Sequence, residues 1–180
     1  MRPSFNLRVT LCAATALALA GCSTAEKQIQ SSGAMGPSDA TFVDTAYSIA
    51  QLDQQAGSLA KTRASDPRVI DLASKMSDEA SVLYPELRAA LKVEGKPAPT
   101  QLPPEVAGEV QQLSALKGPA FDKQFIADEL AAHQRAAQIL QAEATNSKDG
   151  ALQAQAQQEL PAVQLNLASL QGLAHPTSGS

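Results

Sequence analysis

Four long stretches of this chain place apolar residues three and four positions apart, the period of an α-helix and not of a strand. The first stripe is Phe42, Ala46, Ile49, Leu52, Ala56 and Leu59. The second is Val69, Leu72, Met76, Ala80, Leu83, Leu87 and Leu91, and the third is Phe121, Phe125, Ile126, Leu130, Ala137 and Leu140. Leu152, Ala156, Leu160, Val163, Leu167 and Leu170 form the fourth. Aromatic residues make up only 3% of the chain and Trp is absent, which argues against an all-β domain. A length of 180 residues suits one domain of ordinary size and excludes an enzyme of two large lobes.

The punctuation between the stripes fits the same reading. Ser38 and Asp39 are good N-cap residues for the first helix. Asp66-Pro67 restarts the chain with a cap and a proline at the first helical position, where a missing N–H costs nothing. The second helix should end near Gly95 and kink at Pro85. Residues 94–118 form a long connection, its first half broken by four prolines, with a short helix from Pro104 carrying Val106, Val110, Leu113 and Leu116. Gly118-Pro119 opens the third long helix, which runs to about Asn146; Ser147 or Asp149 caps the fourth, which Pro161 interrupts. A 25-residue helix is about 38 Å long, so only a connection as long as 94–118 can return along it. The expected fold is therefore all-α: a ferritin-like four-helix bundle over residues 39–173, with a crossover containing a short helix between helices two and three. Residues 174–180, beginning just before His175-Pro176, read as a tail.

The N-terminus reads as an address. Arg2 and Arg8 precede an apolar run from Val9 to Ala20, too short to cross a bilayer, for which roughly 20 residues are needed, and right for a secretory signal. Leu19-Ala20-Gly21-Cys22 resembles the bacterial lipoprotein box, in which a peptidase cuts before the cysteine and lipid is attached to it. The resemblance implies a signal peptide over 1–21, a lipidated Cys22, and a polar tether over 22–38 with an r.m.s. span of roughly 20 Å. More than one acyl chain gives durable anchoring. Ser23 is not the Asp that marks inner-membrane retention in enteric bacteria, so the resemblance favours the outer membrane, with the domain facing the periplasm. The net charge of −4 for the whole chain, less the two charges of Arg2 and Arg8, becomes −6 after cleavage. Such a body has no affinity of its own for anionic headgroups, and nucleic acid is excluded as a partner. The membrane is reached through the lipid; a protein partner is not readable.

Catalytic constellations are missing. There is no G-x-S-x-G, no phosphate-cradling glycine loop and no H-E-x-x-H. A dinuclear iron or manganese centre would need Glu-x-x-His on two helices, but Leu130 stands three before His133, and Gly172 three before His175. One inward polar group can be assembled: Glu79 and Asn166 flank their stripes, and Glu129 and His133 lie one turn apart on one face. These four could hold a single divalent transition metal. The simpler reading makes Glu129 and His133 a hydrogen-bonded pair, with Asn166 satisfied against a neighbouring helix and no cofactor. Asp78 and Asp128 are expected to face solvent.

The run LSALKGPAFDKQFIADELAAHQRAA (residues 113–137), followed downstream by ELPAVQLNL, resembles a bacterial family of unknown function whose members are often labelled putative outer-membrane proteins. The resemblance implies a ferritin-like fold and rests on Gly118, Phe121, Asp122, His133, Leu160 and Pro161. Relatives usually carry Asp-His where this chain has Asp78-Glu79, and His where Asn166 stands. By resemblance only one of three inward histidines remains. Phe121 is expected in the core, with Asp122 in the first turn of its helix, favourable toward the helix dipole. The sequence thus points to a lipid-anchored, non-enzymatic envelope protein used for interaction or stress tolerance, with metal binding or storage as the alternative.

Overall fold

Five helices carry the described part of the chain, residues 37–93 and 101–175 of a computed structural model. They are α1 Pro37–Arg63, α2 Pro67–Val93, α3 Pro104–Ala115, α4 Pro119–Asn146 and α5 Gly150–Ala174. The protein is all-α, and the short α3 begins at Pro104 as its proline suggests. The signal peptide, Cys22, nearly all of the tether, and residues 176–180 lie outside the described residues. No helix among the described residues is long and apolar enough to cross a membrane.

Several ends differ from expectation for local reasons. α1 starts at Pro37, so Ser38 and Asp39 stand inside its first turn; proline is preorganised for the first helical position. Asp66 does cap α2, its Oδ1 accepting from the Arg68 amide at 2.9 Å, and the Arg68 guanidinium beside it holds its carboxyl below the usual range. For α5 the cap is Asp149, which accepts from the Ala151 and Leu152 amides at 2.8 and 3.2 Å. α2 and α5 stay helical on both sides of Pro85 and Pro161.

Helices α1 and α2 form one antiparallel hairpin and α4 and α5 another, joined face to face through α1–α4 and α2–α5 contacts. The Asp122 carboxylate ties them together. Its oxygens accept from the Ser65 amide at 3.0 and 3.2 Å, the Ser65 hydroxyl at 2.5 Å and the Asp66 amide at 3.0 Å. Asp122 thus satisfies the turn between α1 and α2, rather than merely favouring the dipole of its own helix. Beside it the Gly118 amide donates to the Arg63 carbonyl at 2.7 Å. Gly118 reaches that position at φ +60, a left-handed conformation that glycine tolerates without strain. These bonds put the starts of α2 and α4 at the same end, so the chain between them must return along the length of the helices. Within that return α3 packs on α1 and α4.

The core has two apolar parts. One gathers Leu52, Ala56, Ala60, Val69, Leu72, Met76, Val106, Leu113, Phe121, Phe125 and Leu170. The other gathers Phe42, Val43, Tyr47, Ala80, Leu87, Leu140, Leu152 and Ala156. In this second part the Tyr47 and Tyr84 rings stack at 4.8 Å and their hydroxyls meet at 2.5 Å; burial pushes the Tyr47 hydroxyl up to about 12. Beside the first part α1 and α2 approach closely at Gly57, where a Cβ would stand 2.6 Å from the Ser77 Cβ and 2.7 Å from the Ala73 carbonyl oxygen. Only glycine permits that crossing.

Candidate metal centre

Along each long helix, the passage from one apolar part to the other is marked by a polar residue. α1 supplies Asp53, α2 Glu79, α4 Glu129 and His133, and α5 Asn166. Asp53 follows Ala46 and Ala50 and precedes Ala56, Gly57 and Ala60 at helical spacing, so small neighbours let its helix come close and carry the carboxylate inward. Glu129 and His133 lie one turn apart between the buried Phe125 and Ala136.

One ligand atom each from Asp53, Glu129 and His133 all fall within 4.8 Å of one another, and all three residues are buried. Glu129 is 0% exposed and His133 1%, which is the environment that penalises an unpaired charge most. Yet neither carboxyl oxygen of Glu129, nor Oδ1 of Asp53, meets a hydrogen-bond donor. The His133 Nδ1–H donates to the Glu129 carbonyl at 3.1 Å, while the Glu129 carboxylate oxygen Oε2 is 3.6 Å from that nitrogen. Glu129 and His133 are thus hydrogen-bonded to each other, through the Glu129 backbone carbonyl rather than its carboxylate. In the neutral ring this bond leaves the lone pair on Nε2, the arrangement metal-ligating histidines use.

Burial dominates the electrostatics. It raises the Glu129 carboxyl to about 8, with the neighbouring Asp53 carboxyl opposing and the charges of Asp128 and Glu109 adding to the rise. Asp53 is pushed well above the carboxylate range by burial, then by the Glu129 charge, with His133 partly offsetting. Asp128 departs from expectation: it is half-buried, one oxygen bonded by Gln124 at 2.8 Å and the other without a donor. Asp78 is exposed as expected.

Glu79 and Asn166 form a separate group. The Asn166 amide donates to Glu79 Oε2 at 2.8 Å, and the Lys75 ammonium donates to Glu79 Oε1 at 2.6 Å and to Asn166 Oδ1 at 2.7 Å. The four residues singled out in the sequence are thus divided between two clusters. Even so, Glu79, His133, Asn166 and Asp53 line one cavity of about 70 Å³, whose other walls include Ile49, Leu83 and Val163. That volume holds no more than a few water molecules. Asp53 and Lys75 are the members that periodicity did not single out. The available signal for Asp53 was an acid in register with a run of Ala and Gly; for Lys75 it was a cation four residues before Glu79.

Two carboxylates and one imidazole suit a borderline divalent transition metal. Ligands at about 2.1 Å from one ion lie at most about 4.2 Å apart, so binding requires the widest pair to draw inward by about half an ångström.

A family profile described as "domain of unknown function (DUF4142)" matches residues 24–173. No curated protein and no solved structure shows significant similarity to the chain.

Proposed function

The chain belongs to the DUF4142 family, a domain of unknown function, and from that premise we propose that it is a lipid-anchored envelope protein whose helices hold one divalent transition-metal ion. Asp53, Glu129 and His133 are the ligands. The observation that carries the reading is the Glu129 carboxyl, fully buried with no donor to either oxygen and one of three potential ligands that lie within 4.8 Å of one another. A buried carboxylate of that kind is stable only with a cation or a proton. The cavity beside the cluster is small, about 70 Å³, which supports binding or storage of an ion. The return of the chain between α2 and α4 supports a ferritin-like bundle.

Elemental analysis of the purified mature domain after dialysis tests the reading. One iron, copper, zinc or manganese per chain is expected, falling to a small fraction in His133→Ala. Absence of any stoichiometric metal, after each ion has been supplied in turn, would overturn it.

Mooring through Cys22 is supported by Leu19-Ala20-Gly21-Cys22 after a basic start and a short apolar run. The location we propose is the outer membrane, with the domain in the periplasm. Cys22→Ala is expected to shift the protein from the membrane pellet to the soluble fraction. Continued pelleting of the variant would contradict lipid anchoring.

A further inference from the structure

We propose that the Lys75 ammonium fills a second cation position in this site, formed by Glu79 and Asn166, and so limits the protein to one metal ion. The inference rests on the metal reading above. Oxygens from two different helices converge on Lys75 Nζ at 2.6 and 2.7 Å, Glu79 Oε1 from α2 and Asn166 Oδ1 from α5. The remaining polar atoms of that pair are spent on each other, Asn166 Nδ2 to Glu79 Oε2 at 2.8 Å. An ammonium held by a carboxylate and an amide oxygen sits among the same hard donors that a divalent ion takes.

Two further observations link this position to the buried cluster. Glu79 and Asn166 line the same cavity as Asp53 and His133, and Asp53 brings a buried oxygen without a donor. The Lys75 side chain is 44% exposed and that of Glu79 40%, whereas Glu129 and His133 are sealed. The ammonium therefore stands on the water side, and its loss opens the position without disturbing the core.

Occupancy decides the count. While the ammonium holds Glu79 Oε1 and Asn166 Oδ1, a second ion has no access to those oxygens. Its removal frees both, on the cavity where Asp53 brings an oxygen without a donor.

The experiment counts zinc(II) by native mass spectrometry on the mature wild-type domain and on Lys75→Met, Lys75→Arg and Lys75→Met/Glu79→Gln. One ion per chain is expected for wild type and for Lys75→Arg, two for Lys75→Met, and one again for the double variant. The return to one separates the second position from adventitious surface carboxylates. One ion in both wild type and Lys75→Met overturns the inference and leaves the metal reading standing. Two ions in the double variant also overturn it, because Glu79 would not be the ligand. No ion in wild type overturns the metal reading, and the inference with it. Because Lys75 is half-exposed, its variants are expected to keep the wild-type circular dichroism spectrum and melting profile.

Discussion

Replacing Asp122 with Ala is expected to destabilise the domain by about 3 kcal/mol, since the carboxylate accepts from two backbone amides and one hydroxyl; a hydrogen bond to a charged group contributes about 1.5–3 kcal/mol, and bonds made by one side chain do not add in full. Asp122 is only 8% exposed, so water replaces it poorly. The Ser65 and Asp66 amides it satisfies are 57 and 56 residues away in the chain. Losing it frees the turn between α1 and α2 from the start of α4, rather than trimming one helix end. Asp122→Asn keeps one acceptor oxygen and turns an NH₂ group toward the donors, so it should fall between Ala and wild type. Urea denaturation checks both variants: a midpoint for Asp122→Ala corresponding to less than about 1 kcal/mol would contradict this assignment.

The second large effect is a pH dependence. Glu129 has a raised carboxyl, about 8 in the folded chain against an ordinary 4.5. Between those values the folded state holds a proton that the unfolded state has released. Its contribution to stability is complete below about pH 4.5 and is lost as pH rises through about 8. Asp53 is shifted in the same direction. In protein stripped with a chelator, stability is expected to fall over this window on the order of 1 kcal/mol per pH unit. Glu129→Gln, which carries an amide where the proton would sit, should flatten that fall and be the more stable protein at pH 8. Parallel urea midpoints for the two proteins from pH 5 to 8 would contradict the burial argument.

How much of this was legible in the sequence depends on the range of the interaction. Helix positions follow from spacing within one segment, so Pro67, Pro104 and Pro119 mark starts that the structure repeats. The cap of α2 was legible for the same reason: Asp66 needs only the amide of Arg68. Asp122 was legible as a first-turn acid but not as the clasp of another turn, because its partners belong to a different hairpin. Asp53 lies in the polar run Asp53-Gln54-Gln55, which reads as a solvated face until α1 is seen to be buried on both sides of Leu52. Glu79 and Asn166 were legible as flanking polar residues. That they pair with Lys75 while Glu129 and His133 turn toward Asp53 depends on how the four helices are rotated, which hydropathy does not encode.

The proposed ion lies between α1 and α4. Anomalous scattering from crystals of the metal-loaded domain, collected at the absorption edge of the ion that copurifies, tests it most directly. The expected result is one peak within about 2.3 Å of oxygens from Asp53 and Glu129 and a nitrogen of His133. A peak held elsewhere on the surface, or ordered water between those three side chains in a saturated crystal, would contradict it.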